Sequence, residues 1–269
     1  MLKRFCVLVY AVATGASICS ALPAFSSPQE DLSAFKGNSC VQCHSRTTDA
    51  KMASNRYLEW HLSAHKNAGV GCEKCHGGDP SSPEMNRAHV GVATPADARS
   101  RLSPARLPDT CGACHQQVTA SFVQSKHHQR LKEVGLGPSC NTCHGHMASA
   151  VIVVPSETSG LCAQCHDSAT SAMPRRPELP AKASEVMLAF ERATGIVTWA
   201  DRLLEVARDR KLDVTAEEAE MKSVRGVLAD AKTSWHAFGL DPVQQRADEA
   251  FLKGTKVKDD LMRKLGFTR

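Results

Sequence analysis

Aromatic side chains make up only 5% of this 269-residue chain. That is little from which to build an ordinary packed interior, because Phe, Tyr and Trp usually dominate core burial. No stretch beyond the first residues is apolar enough over about 20 positions to cross a bilayer, which argues against an integral membrane protein. Disulfide bonding has no spare material either. Cys6 and Cys19 fall in the leading segment, and the other ten of the twelve cysteines are spent in regularly spaced pairs. A scaffold stapled by disulfides is thereby excluded, as is a conventional aromatic-rich enzyme core.

What the chain does have is one five-residue pattern, Cys-x-x-Cys-His, used five times. The copies are Cys40–Cys43–His44, Cys72–Cys75–His76, Cys111–Cys114–His115, Cys140–Cys143–His144 and Cys162–Cys165–His166. This is the attachment signature of c-type haem. Two thiols bond the vinyl groups, and the adjacent imidazole becomes an iron ligand. Zinc and thiol-redox sites also use Cys-x-x-Cys, but neither requires His after the second Cys, and here it follows every pair. The expected cofactors are five covalently bound haem c groups. They also supply the apolar surface that the sequence lacks.

An iron with one His ligand has an open sixth position, so the count of spare histidines decides the chemistry. Seven remain: His61, His65, His89, His127, His128, His146 and His236. His65 and His127 occupy equivalent places in an internal repeat, Ser63-Ala64-His65 before Cys72-x-x-Cys-His-Gly and Ser125-Lys126-His127 before Cys140-x-x-Cys-His-Gly. His146 follows His144 by two residues and can turn toward a neighbouring site. His89 lies between the second and third motifs, and His236 is the one histidine of the C-terminal third. These five are the expected second ligands, with His61 and His128 as spares; Met52, Met85 and Met147 are weaker candidates.

Residues 1–24 read as a signal peptide, with Lys3 and Arg4 ahead of an apolar segment and small residues at the cleavage site. Residues 25–180 then form a five-haem-binding region of short helices and loops. Residues 181–269 change character. Val186, Phe190, Ala193, Val197, Ala200, Leu204 and Ala207 form one helical stripe. A second helix follows a capping box at Thr215 and Glu218, and its stripe is Met221, Val224, Leu228, Ala231 and Trp235. A third starts at Asp241-Pro242, with Pro at the first helical position and Ala247, Ala250, Phe251, Leu261 and Leu265 as its apolar face, weakened by Gly254. The fold class is mostly α with extensive loops, a haem-stacked N-terminal region and a C-terminal antiparallel helical bundle.

With these motifs placed, the chain resembles the multihaem c-type cytochromes of the hydroxylamine oxidoreductase and cytochrome c nitrite reductase superfamily. The resemblance rests on the Ser-x-His segments, on Cys140 to His146, and on Trp235-His236-Ala237-Phe238. It implies closely stacked haems and helices that can mediate oligomers. It does not carry over catalysis. There is no Cys-x-x-Cys-Lys site to keep one haem open, and the single tyrosine beyond the leader, Tyr57, precedes the second motif.

The formal net charge of +5 falls to about −2 in the oxidised and about −7 in the reduced mature holoprotein, once leader, propionates and iron are counted. The basic sequence is therefore no sign of nucleic-acid binding. The expected function is an exported, periplasmic or outer-surface, electron carrier with two histidines on each iron. Its partners would be redox proteins: a quinol dehydrogenase, other cytochromes or a terminal reductase. A small reductase of nitrogen or sulfur oxyanions would instead need one open haem. A homo-oligomeric or polymeric conduit would use the C-terminal helices.

Overall fold

The computed structural model describes residues 32–46, 54–146, 154–170 and 173–267. The signal-peptide expectation, Met52 and Met147 lie outside them. Residues 32–36 belong to a separate unit, a single 3-10 turn at Ser33–Phe35. Everything below concerns residues 37–267.

Up to residue 166 the helices are short. They are α1 (Ser39–His44), α2 (Ser54–His61), α3 (Ala64–Asn67), α4 (Cys72–His76), α5 (Met85–Ala88), α6 (Leu107–Gly112), α7 (Gln116–Val123), α8 (Lys126–Val134), α9 (Cys140–His144) and α10 (Pro155–His166). No strand occurs among the described residues. The brevity follows from the sequence, where Gly and Pro, and the capping serines Ser63 and Ser125, interrupt the helix-forming runs. Gly77 and Gly78 take φ of 77° and 88°, and the segment holding Pro95 and Pro104 is a series of turns.

Three longer helices follow: α11 (Glu178–Asp209), α12 (Thr215–Ser234) and α13 (Leu240–Lys264). Each packs against the other two. All the expected stripe residues of α11 are buried except Val197, which is partly so, and Met221, Val224, Leu228 and Ala231 of α12 join the same core. Full burial of a Leu such as Leu204 or Leu261 is worth roughly 1.5–3 kcal/mol. The bundle is not detached from the haem-motif region. The helix α10 packs on α11, and α7 packs on α12 and on the 3-10 turn Trp235–Ala237 that ends it.

Three local expectations are corrected. Thr215 and Glu218 do not form a capping box. The Asp213 carboxylate accepts from the Thr215 N–H at 3.0 Å and its hydroxyl at 2.8 Å, while Glu218 pairs with Arg208 at 2.7 Å. The carboxylate one turn earlier satisfies the same orphan N–H, leaving Glu218 free for a neighbouring helix. The helix α13 starts at Leu240, so Pro242 is its third residue; this still lies in the first turn, where a missing N–H costs nothing. Gly254 does not weaken the apolar face of α13 but belongs to it. A Cβ there would sit 3.0 Å from Ile196 Cγ2 and 3.5 Å from Val224 Cγ1, so its lack of a side chain sets how closely α13 approaches its neighbours.

Two glycine substitutions should therefore have opposite signs. Gly254→Val should destabilise the bundle by about 1–3 kcal/mol through overpacking. Gly226→Ala, on exposed α12 surface with nothing within 4 Å of the added carbon, should stabilise it by about 0.5–1 kcal/mol. Denaturant unfolding followed by helical circular dichroism measures both.

Candidate functional site

Four of the five Cys-x-x-Cys-His motifs lie wholly within a helix, α1, α4, α9 and the end of α10. In the third, Cys111 is in α6 and the helical turn continues to His115, whose N–H donates to Cys111 O at 2.9 Å. The chemistry of the pattern needs this conformation. Positions i, i+3 and i+4 share one face of a helix, so both sulfurs and the imidazole project to the same side. Local sequence starts these turns. The Asn38 side chain accepts from the Val41 N–H at 3.2 Å, and the Thr142 hydroxyl accepts from the Ser139 N–H at 3.0 Å. None of the ten motif cysteines is engaged in a disulfide. No group of three or more His, Cys, Asp or Glu is arranged to hold a metal ion among the described residues.

Two consecutive pairs of motif helices pack together. α1 packs on α4, and α6 packs on α9. Burial pushes the Cys72 thiol up to about 11, with Cys40 adding to the shift. Burial likewise raises Cys75, next to Arg101 and Cys114. A hydrogen bond joins Cys111 and Cys140, raising the first and lowering the second. Burial raises Cys162, and Cys143 contributes.

The decisive geometry is that of the histidines. His44 faces His89 with ring centres 6.2 Å apart, and His115 faces His65 at 6.1 Å. His166 faces His127 at 5.9 Å, and His144 faces His236 at 6.2 Å with planes only 10° apart. His76 is depressed first by burial, then by the charges of His146 and His44. Four of the five histidines expected from the sequence, His65, His89, His127 and His236, face motif histidines ring to ring, and His146 acts on His76 through its charge. The two spares sit elsewhere: His61 stacks on Tyr57 at 5.9 Å, and His128 meets Phe122 edge-on at 5.4 Å.

Local structure explains each pairing. Ser63 and Ser125 cap α3 and α8, accepting from the N–H groups of Lys66 and His128, so His65 and His127 occupy the same helical position in the two repeats. His65 faces the third motif and His127 the fifth. His89 turns back to the first motif because Asp79 N–H donates to Ala88 O at 3.0 Å and Ser39 N–H to Pro80 O at 2.7 Å. Gly145, at φ 69°, lets the chain leave α9 so that His144 and His146 point to different partners. His236 comes from the 3-10 turn after α12. The next reversal puts Phe238 at φ 60°, a conformation that costs a non-glycine residue roughly 1–2 kcal/mol. It sets the Phe238 ring 4.2 Å from that of His127.

Residues 21–77 match the family model described as cytochrome c554 and c-prime. The C-type polyheme cytochrome OmcB of Geobacter sulfurreducens is 30% identical over 134 residues, 46% of this chain and 16% of OmcB. OmcC of the same species is 32% identical over 114 residues, 40% of this chain and 14% of OmcC. The multiheme cytochrome MtrA of Shewanella baltica is 24% identical over 148 residues, 54% of this chain and 42% of MtrA. The chain is a multihaem c-type cytochrome. The matched stretch is thus a small part of the Geobacter relatives' length. No solved structure matches this chain.

The residues of the cytochrome fit haem iron. Two imidazoles bound to one metal at roughly 2 Å each carry their ring centres about 6 Å apart. That is the separation of the four ring pairs. Ligating imidazoles must also be neutral. Burial lowers His44, His76, His127 and His236 from the ordinary histidine value. The Nδ1 atoms of His89 and His236 are turned to backbone carbonyls, 2.7 Å from Met85 O and 3.1 Å from Lys232 O. Those contacts place the ring N–H on Nδ1 and leave Nε2 as the donor to a metal.

The loop that returns His89 to His44 depends on Gly78. A Cβ there would lie 2.4 Å from Ala88 O, and φ is 88°. Gly78→Ala should therefore displace His89 from His44. The check is the electronic spectrum of the purified variant, in which one haem site should change while the others keep their wild-type bands.

Proposed function

We propose that this cytochrome is a one-electron relay holding five haem c groups, each iron closed by two histidines. The attachment thiols would be Cys40 and Cys43, Cys72 and Cys75, Cys111 and Cys114, Cys140 and Cys143, and Cys162 and Cys165. The axial pairs would be His44 with His89, His76 with His146, His115 with His65, His144 with His236, and His166 with His127. One observation carries the reading: four of the five motif histidines have a second histidine opposed to them with ring centres 5.9 to 6.2 Å apart, and the charge of His146 acts on the fifth, His76. Reversible one-electron chemistry is what haem supplies when bound. The chain's residues contribute strong nitrogen ligation on both sides, which keeps potentials low relative to Met ligation and denies substrates an iron position.

The packing of α1 on α4 and of α6 on α9 supports transfer between the first and second sites and between the third and fourth. The partners would be other redox proteins, a quinol dehydrogenase or cytochrome on one side and a terminal reductase or outer-surface acceptor on the other. Export to the periplasm fits the residue 1–24 leader pattern and the attachment chemistry. No helix among the described residues is long and apolar enough to cross a membrane. The reductase alternative requires a motif histidine with no opposing ligand, and the five pairs leave none.

Carbon monoxide tests this directly, because it binds reduced haem only where a coordination position is open. The wild-type protein should not bind it rapidly. His236→Ala should open one site, giving carbon monoxide binding to about one haem in five, with the covalent haem content unchanged. Rapid stoichiometric binding to wild type, with turnover of nitrite, would favour the reductase.

A further inference from the structure

The His146 ring is held differently from those of His89 and His236. His146 Nδ1 lies 2.5 Å from Glu59 Oε2, 87 residues away along the chain. His89 and His236 point the same atom at neutral backbone carbonyls. A hydrogen bond to an ionised acceptor is shorter and roughly twice as strong as one between neutral groups. Both side chains are partly covered, at 35% exposure for Glu59 and 39% for His146. Solvent therefore screens the carboxylate only in part.

Glu59 is also firmly placed. Its neighbour Trp60 is 3% exposed, and the indole N–H donates to Val70 O at 2.9 Å. The buried Ser63 hydroxyl donates to Trp60 O at 2.6 Å. This end of α2 is thus pinned to α3 and to the turn ahead of the second motif. The carboxylate is carried by a fixed segment, and the flexible approach to His146 through Gly145 ends on it.

We infer that Glu59 is a positioning residue for the second haem site, orienting His146 and strengthening its Nε2 as a donor so that this site holds its oxidised state more tightly than it would without the carboxylate. The inference rests on the reading of His76 and His146 as an axial pair. Its physical basis is that a carboxylate accepting Nδ1–H draws the proton away from the ring. Electron density rises at Nε2, which favours ferric over ferrous iron. An ion pair with no such role would contribute little to stability and would leave every potential unchanged.

The test is a potentiometric titration of holo-cytochrome carrying Glu59→Gln, which keeps the size and removes the charge. One of the one-electron components should move upward by about 59 mV, a tenfold change in its reduction equilibrium, while the others stay in place. Glu59→Asp should recover part of the shift. His146→Ala, assayed with carbon monoxide, identifies the site. If it opens one haem while Glu59→Gln leaves all components unmoved, the role of Glu59 is refuted and the ligand pair stands. If His146→Ala opens no haem, the pairing of His76 with His146 is wrong and the inference falls with it.

Discussion

Opposed imidazoles are the constraint on which the rest of this structure depends. Two nitrogen donors must face each other at a fixed separation, and one of them must come from a helical turn that also presents two thiols. Each motif helix is too short to hold such a pair by itself. The second histidine must be brought from elsewhere by capped turns, glycine-enabled reversals and, for His236, by the end of α12. The irregular first half is the result of these demands. It spends its backbone on placing histidines and leaves apolar packing to the bundle and, when bound, to the cofactors.

The same constraint ties the C-terminal helices to the site. A three-helix bundle could have been an independent cover. Instead its second turn supplies His236 to the fourth motif, and Phe238 packs on the ring of His127 that faces the fifth. The positive φ of Phe238 accompanies this fit, while Gly254 lets α13 close on Ile196 and Val224 within the bundle itself.

Much of this was legible in the sequence, because the chemistry is written in spacing. Cys-x-x-Cys-His marks its own geometry, and the Ser-x-His repeat marks, through a helix cap, two of the histidines that face motif histidines. The long stripes of α11 and α12 are ordinary amphipathic periodicity. Pairing was not legible. Nothing local says that His89 turns backward to His44, or that His65 skips the second motif for the third. Those choices depend on long-range hydrogen bonds such as Ser39 to Pro80 and on the positive φ of Gly78 and Gly145. Glu59 was missed for the same reason, since an acidic residue 87 positions from its histidine leaves no pattern. The capping box failed because Asp213 offered the same acceptor one turn earlier. Of the resemblance to the hydroxylamine oxidoreductase and nitrite reductase superfamily, the Ser-x-His and Trp-His segments now have structural roles. The branch itself rests on the sequence alone.

The account stands on every iron being closed by two histidines. Electron paramagnetic resonance of the oxidised protein, quantified against the covalent haem content, measures that directly. The account requires five haems per chain, all low-spin, with the nearly parallel His144 and His236 rings giving a signal distinct from the strongly tilted pairs. A high-spin signal amounting to one haem in five, or fewer than five haems per chain, would contradict it.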